Sequence, residues 1–380
     1  MNFSLVEEQR LLQETLARFV EKEYGFEARR RIQALPEGFS RQVWRQLADM
    51  GVLGLPLPEA HGGFGGGTIE VMLAMNAIGR GLVVEPYFAT VIMGAGMIAE
   101  AGSDVQRQSI LPAVAGGTLL LAFAHGEPKS RYELASVATR AKKNANGYVL
   151  DGVKAVVQHG GQADRLIVTA RTSGAERDTS GISLFIVERS AKGVSVRDYR
   201  TIDGLRAADI TFAAVQVGAE ALLGAEGGAF DAIERVTDRG IAALCAEAVG
   251  AMEALNAQTV EYLKTRQQFG QPIGRFQALQ HRAVDMMIHA EQSKSMAYLA
   301  AMRLEAADPR ERRRAVSAAK VQIGRSGRAV SQSAIQLHGG MGVTNELAAS
   351  HYAKRLTMMD FQLGDAEHHL DRFIAAGSGA

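Results

Sequence analysis

The feature that most constrains the fold is a double change in the period of the apolar residues. From Ser4 to about Gly116 they recur at helical spacing, between about Leu119 and Leu223 at the spacing of extended chain, and from Gly228 at helical spacing again. Leu11, Leu12, Leu16, Phe19 and Val20 form one helical stripe. Val43, Trp44, Leu47 and Met50 form another, ended by Gly51. In the middle stretch, Leu166–Ala170 and Ile182–Val187 are rich in β-branched and aromatic residues, and Asn146-Gly147, Asp151-Gly152 and Asp203-Gly204 read as turns. Short strands without intervening helices predict an antiparallel barrel or sandwich rather than a parallel α/β sheet. The last part holds a long amphipathic helix ending near Arg266, then helical runs over 277–307, 310–337 and 347–363, which together describe a bundle.

Composition narrows the function. With 42 Lys+Arg against 41 Asp+Glu the chain carries no field to gather nucleic acid or an acidic membrane, and neither partner is expected. One cysteine, Cys245, excludes a disulfide framework and Cys-pair zinc sites, and points to a reducing, cytoplasmic compartment. The acidic N-terminus lacks the order of a signal peptide. The apolar stretch 81–102 is broken by Glu85, Pro86, Gly94, Gly96 and Glu100, so it reads as a buried helical segment. No G-x-G-x-x-G lies between a strand and a helix, and there is no Walker A lysine motif or G-x-S-x-G elbow. His368-His369 suggests a metal pair, but adjacent helical residues point about 100° apart. A hydrogen-bonded or solvated pair is the plainer reading, and no metal site is expected. Arg310–Arg314, after Asp308-Pro309, reads as a solvated loop or helix start. The Gly-rich loop 55–67 suits either a linker or close approach of backbone to a ligand.

Two clusters carry more chemistry. Arg266-Gln267-Gln268-Phe269-Gly270 ends the long helix and leads into Arg275-Phe276-Gln277; an Arg followed three residues later by an aromatic suits a pyrophosphate beside a flat ring. Gln336-Leu337-His338-Gly339-Gly340-Met341-Gly342 ends a helix in glycines whose backbone amides suit phosphate oxygens.

With these clusters, and with Trp44–Gly54, Pro58-Glu59-x-x-Gly62-Gly63, Gly126-Glu127-Pro128, Gly152–Lys154 and Val343-Thr344, the chain resembles the FAD-dependent acyl-CoA dehydrogenase family over nearly its whole length. The resemblance implies a mixed α and β, multidomain fold: an N-terminal helical domain (1–117), a middle antiparallel β-barrel (118–227) and a C-terminal four-helix bundle (228–380). It implies FAD between barrel and bundle, with its ADP end reaching the neighbouring subunit of a dimer or tetramer. By that likeness Arg266 and Phe269 meet the pyrophosphate and adenine of the partner's flavin. Gln277, Gln336, Gly339 and Gly340 belong to the same ADP-facing set.

The reactive half departs from the family. Its usual base, a Glu before Gly-Thr, falls on Leu363 in Phe361-Gln362-Leu363-Gly364-Asp365-Ala366, with Asp365 in place of the Thr. The alternative position on the long helix, 26 residues before Arg266, is Gly240. The Trp-x-Thr/Ser beside the flavin ring becomes Val156-Val157-Gln158, and Gln158 is its remaining polar group. The Thr before Glu-Pro becomes Gly126, the Ala-Gly-Ser-Asp segment that helps hold pantetheine becomes Ser130-Arg131-Tyr132-Glu133, and the loop 204–212 reads as shortened.

Such a split resembles the branch ending in Phe-Gly-Asp-Ala or similar, the small subunits of heteromeric enzymes acting on pimeloyl-CoA or steroid side chains. The expected function is α,β-dehydrogenation of an acyl-CoA to a trans-2-enoyl-CoA, with a bulky or dicarboxylic acyl group and an electron-transferring flavoprotein as acceptor. The chain would form a homodimer, a homotetramer or an α2β2 assembly. The alternative is a non-catalytic subunit that completes a partner's FAD site. For the base, Asp238 ranks first and Asp365 second, ahead of Glu234. Two helical residues before Gly240 is a rotation of about 200°, so Asp238 requires a late or bulged helix start near Gly240. The plainer reading of Asp365 is in the Thr's place beside the flavin, as a hydrogen-bond acceptor or a cap.

Overall fold

The computed structural model describes residues 5–377. In chain order it has helices α1 (Glu7–Glu23), α2 (Phe26–Gln33), α3 (Arg41–Asp49) and α4 (Thr68–Gly81), a π-helical segment (Phe88–Ala95), α5 (Gly96–Ala101) and α6 (Asp104–Ala115). Strands follow: β1 (Leu121–Ala124), β2 (Arg140–Asn144), β3 (Gly147–Gln158), β4 (Arg165–Arg171), β5 (Ile182–Glu188), β6 (Val194–Arg200), β7 (Arg206–Val217) and β8 (Leu222–Leu223). Then come α7 (Phe230–Thr265), a two-rung hairpin of β9 (Gln267–Gln268) and β10 (Gln271–Pro272), α8 (Gln277–Arg303), α9 (Pro309–His338), α10 (Ala348–Phe361) and α11 (Ala366–Gly377). The order helices, strands, helices is the one the period changes predict.

By compactness the chain divides into two units. One comprises Ile32–Gly67 and Val84–Gly240. Its sheet has eight strands in the order β6-β7-β3-β2-β4-β5-β8, with β1 on β4. Pairing is antiparallel except that β1 and a single rung of β2 run parallel to β4. Leu150, Val168, Ala170, Phe185, Ile210 and Phe212 are among the side chains that fill its core. Asn146-Gly147 does turn β2 into β3, and Asp203-Gly204 turns β6 into β7. Asp151-Gly152, expected to be a turn, lies inside β3 at a register shift, where Gly152 has a φ of 154° and a Cβ would meet Thr139. The supposed short loop 204–212 is strand from Arg206 onward.

The buried helical segment expected at 81–102 is present. Within it Glu85 is buried, its Oε1 accepting from the Ser40 N–H at 3.0 Å. Burial raises this carboxyl from 4.5 to about 8. A folded pKa above the unfolded one means the native state holds the extra proton, so stability is lost as pH rises from 4.5 through about 8. Glu85→Gln keeps the acceptor and removes the titration. Melting temperatures across this range should fall in the parent and fall less in the variant; parallel curves would refute the assignment.

The other unit takes in the chain up to Arg31, Thr68–Val83 and everything from Ile241. Leu255, Met286, Val316, Val330 and Leu356 belong to its helical core. α4 crosses α7 on glycine from both sides: a Cβ at Gly79 would overlap the Glu247 carbonyl oxygen, and one at Gly250 that of Asn76. Such crossings let helix backbones approach closely. Beside them the buried Glu247 carboxylate holds Arg355 of α10 by two hydrogen bonds, of 2.7 and 2.8 Å. Among the described residues one helix, α7, is long and apolar enough to cross a membrane, and 83% of that window is buried inside the protein.

Candidate active site

At the end of α7 the chain turns through the β9–β10 hairpin. Phe269 (φ 53°) and Gly270 (φ 76°) form its tip, and positive φ at both central residues is the geometry of a two-residue type I′ turn. The turn holds the Phe269 ring out, 89% exposed, edge-on to Phe276 at 6.0 Å. Arg266, at the hairpin's base, is exposed and makes no side-chain hydrogen bond or ion pair among the described residues; its carbonyl accepts from the Ile273 N–H. Gln277 opens α8, whose first turn has no side-chain cap.

The second cluster lies beside the first. The Tyr262 and His338 rings meet at 4.4 Å, and the Tyr262 hydroxyl reaches the His338 carbonyl at 3.4 Å. Thus the end of α7 and the end of α9 are brought together. Gln336 is exposed, and a Cβ built on Gly339 or Gly340 would meet nothing within 4 Å. A free guanidinium, an uncapped helix start, an outward aromatic and an open glycine ledge suit the diphosphate and flat base of a dinucleotide.

The unit of strands offers a different surface. The register of β3 shifts between Lys154 and Val157, with Val156 at a φ of 54° and 58% exposed. Bulges of this kind are frequent beside active sites, where they re-aim a side chain. The Gly126 carbonyl accepts from the Ala155 N–H at 2.8 Å, tying the Gly-Glu-Pro segment to the bulge. Gln158, half-buried, closes the strand opposite Ala207. Behind them Lys154, wholly buried, pairs with Glu127 at 2.7 Å and donates to Thr169 Oγ1 at 2.9 Å. Glu127 also accepts from the Ala138 and Thr139 N–H groups. These two residues therefore fasten the loop after β1, a role that the bare motif does not disclose.

The three candidate acids fare differently. α7 is regular from Phe230 through Gly240 and beyond, so the irregular start that Asp238 requires is not there. Asp238 is fully buried and on a different face of the helix from Gly240. Glu234 is half-buried on the same continuous helix. Asp365 is half-buried and caps α11, its Oδ1 accepting from the His368 N–H at 2.9 Å. It adjoins Leu363 (φ 55°) and Gly364 (φ 109°) in a left-handed turn. α10 enters that turn with its last carbonyls held: the buried Lys320 ammonium donates to Met359 O at 2.6 Å and to Asp360 O at 2.8 Å.

Comparison with known proteins decides what these pieces belong to. The N-terminal, middle and C-terminal domain models of acyl-CoA dehydrogenase match residues 6–118, 122–215 and 227–377. A probable acyl-CoA dehydrogenase of Bacillus subtilis, YngJ, is 30% identical over 381 residues, covering 99% of each chain. The chain belongs to the acyl-CoA dehydrogenase family. Butyryl-CoA dehydrogenase of Megasphaera elsdenii superposes with a TM-score of 0.91 at 28% identity, covering 99% of each chain. A variant of the Tcur3481-Tcur3483 steroid acyl-CoA dehydrogenase superposes at 0.88 and 30%, covering 98% of this chain and 99% of that one. The chain is thus an acyl-CoA dehydrogenase, an oxidoreductase acting on a CH–CH bond, and its cofactor is FAD. The ADP-facing set of residues described above fits that group.

For this dehydrogenase Arg266→Ala is expected to weaken FAD binding by about 1.5–3 kcal/mol, the worth of a charge-assisted hydrogen bond to a pyrophosphate. Were Arg266 only a cation at a helix end, about 0.3–1 kcal/mol would be lost instead. Titration of apoprotein with FAD distinguishes the two.

Proposed function

We propose that this dehydrogenase is one subunit of a heteromeric enzyme that forms a trans-2-enoyl-CoA from an acyl-CoA with a bulky or dicarboxylic acyl group. The observation that carries the reading is the split within the chain itself. The residues we read as its ADP-facing set are all exposed, while the turn at Leu363 and the helix at Gly240 lack the glutamate that the family places at one or the other. The steroid enzyme named above as a pair of chains supports both a bulky substrate and a second, unlike subunit. On α8, Val284, Met287 and Ile288 are 52, 54 and 48% exposed at i, i+3 and i+4, an apolar stripe fit to be covered by another chain. We assign residues 1–117, 118–227 and 228–380 as its domains, and the cytoplasm as its compartment on the single buried Cys245.

When bound, FAD would supply the acceptor for the hydride that leaves the β-carbon. The chain's own residues hold the cofactor and guide a proton. Arg266 and the open ledge at Gly339 and Gly340 take the diphosphate, with Gln277 and Gln336 along it, and Phe269 takes the flat adenine face. Gln158 and the backbone around the Val156 bulge are the residues that would hold the flavin ring. The Leu363 N–H polarises the thioester carbonyl as enolate character develops. Asp365 stands as the proton acceptor, ahead of Asp238, because its turn carries the lost glutamate's position. An electron-transferring flavoprotein would serve as the external electron acceptor.

A second reading is favoured by the same two missing glutamates: a non-catalytic subunit lending Arg266, Phe269 and Gln336 to a partner's flavin. Dehydrogenation assays of the isolated chain and of the reconstituted complex separate them. If mutations at Leu363–Asp365 leave the complex's turnover unchanged while Arg266→Ala lowers its FAD content, the second reading replaces the first.

A further inference from the structure

Among the described residues no three His, Cys, Asp or Glu side chains are grouped to hold a metal ion, and the pair His368-His369 is engaged otherwise. The two rings meet edge to face at 5.2 Å over Gly364, where a Cβ would come within 2.6 Å of His368 Cδ2 and 2.7 Å of His369 Nε2. His369 is wholly buried and both its nitrogens are engaged. Nε2 lies 2.9 Å from the Leu363 carbonyl oxygen, and Nδ1 lies 3.3 Å from Ser317 Oγ on α9.

A carbonyl can only accept, so Nε2 carries the proton and Nδ1, in the neutral ring, accepts from the Ser317 hydroxyl. Burial, the chief cause, holds the ring's pKa down to about 3, so it stays neutral. Ser317 Oγ in turn accepts from Arg372 Nη1 at 3.5 Å. Every donor therefore points one way, from Arg372 through Ser317 and His369 to the Leu363 carbonyl. Leu363 needs such a hold, since a φ of 55° is unfavourable for any side chain with a Cβ. Its own N–H has no acceptor among the described residues.

We infer that His369 is a positioning residue: it fixes the Leu363–Gly364 peptide so that the Leu363 N–H is presented to the thioester carbonyl. The inference rests on the dehydrogenase reading above, and adds that this chain holds its catalytic turn by an imidazole relay.

The test uses FAD-loaded protein, with any acyl-CoA dehydrogenase chain that co-purifies. The probe is whichever of a straight-chain, a branched, a dicarboxylic and a steroid side-chain CoA ester the parent oxidises fastest. His369→Phe keeps the ring and removes the donor; kcat should fall about 10–100-fold with KM and FAD content near the parent's. His369→Gln, whose amide N–H can reach the same carbonyl, should recover most of that loss. Should the Phe variant not fold, Ser317→Ala and Arg372→Gln cut the relay upstream and should each lower kcat about 3–10-fold. Turnover within about twofold of the parent in His369→Phe or, where that does not fold, in both upstream variants overturns the inference, as does an equal loss in the Phe and Gln variants. A parent that oxidises none of the esters overturns the dehydrogenase reading itself, and this inference with it.

Discussion

Asp365→Asn is expected to lower acyl-CoA-dependent flavin reduction by about 10²–10⁴-fold, the usual contribution of a positioned general base. The exchange isolates charge from structure. Asp365 Oδ1 caps α11 through the His368 N–H at 2.9 Å, and an asparagine side-chain oxygen caps equally well. Melting temperature and FAD content should therefore stay near the parent's while the proton acceptor is lost. Asp238→Asn is the matched control. Because α7 is regular through Gly240, Asp238 is turned about 200° away from the position a helix-borne base would take, and its variant should react at close to the parent rate. If the Asp238 variant loses the rate and the Asp365 variant keeps it, the base is on α7. If neither loses it, the proton goes to the partner chain.

Arg355→Met should be the most destabilising single change outside the site. Arg355 and Glu247 are 5% and 4% exposed and joined by two hydrogen bonds. Removing the guanidinium strands a carboxylate in a helical core, which typically costs about 3–5 kcal/mol. Replacing both partners by apolar residues of similar volume should recover much of that loss, because no buried charge is then left over. Urea unfolding of the single and double variants measures the difference. A single variant as stable as the parent would mean that water reaches Glu247. The location sharpens the prediction: Glu247 lies where α4 and α7 meet on glycine, so there is no slack for a solvating rearrangement.

How much of this is legible in the sequence follows from the range of the forces involved. The α7 helix, the strands β4 and β5 and the turn at Asn146-Gly147 announce themselves because local period and turn chemistry decide them. Asp151-Gly152 misleads because the same dipeptide that makes a hairpin also makes a bulge, and only the partner strand β7 chooses between them. Arg266 and Phe269 stand out by motif, yet the positive φ that turns the Phe269 ring outward is a property of the hairpin. An irregular start near Gly240 follows from one glycine taken alone, and the helical residues on both sides overrule it. In the sequence His369 is only half of a suspicious pair. Its partners, Ser317 and the Leu363 carbonyl, are 52 and 6 residues away in the chain, and the first of these no local pattern could supply.

The most direct test of the account is an anaerobic titration of the purified, FAD-loaded protein with CoA esters, alone and with any acyl-CoA dehydrogenase chain that co-purifies. Bound flavin and its loss of visible absorbance on adding ester, with enoyl-CoA formed in equal amount, is the predicted result. A protein that takes up no flavin in either preparation after FAD is added, or a complex whose flavin no ester bleaches, would contradict it.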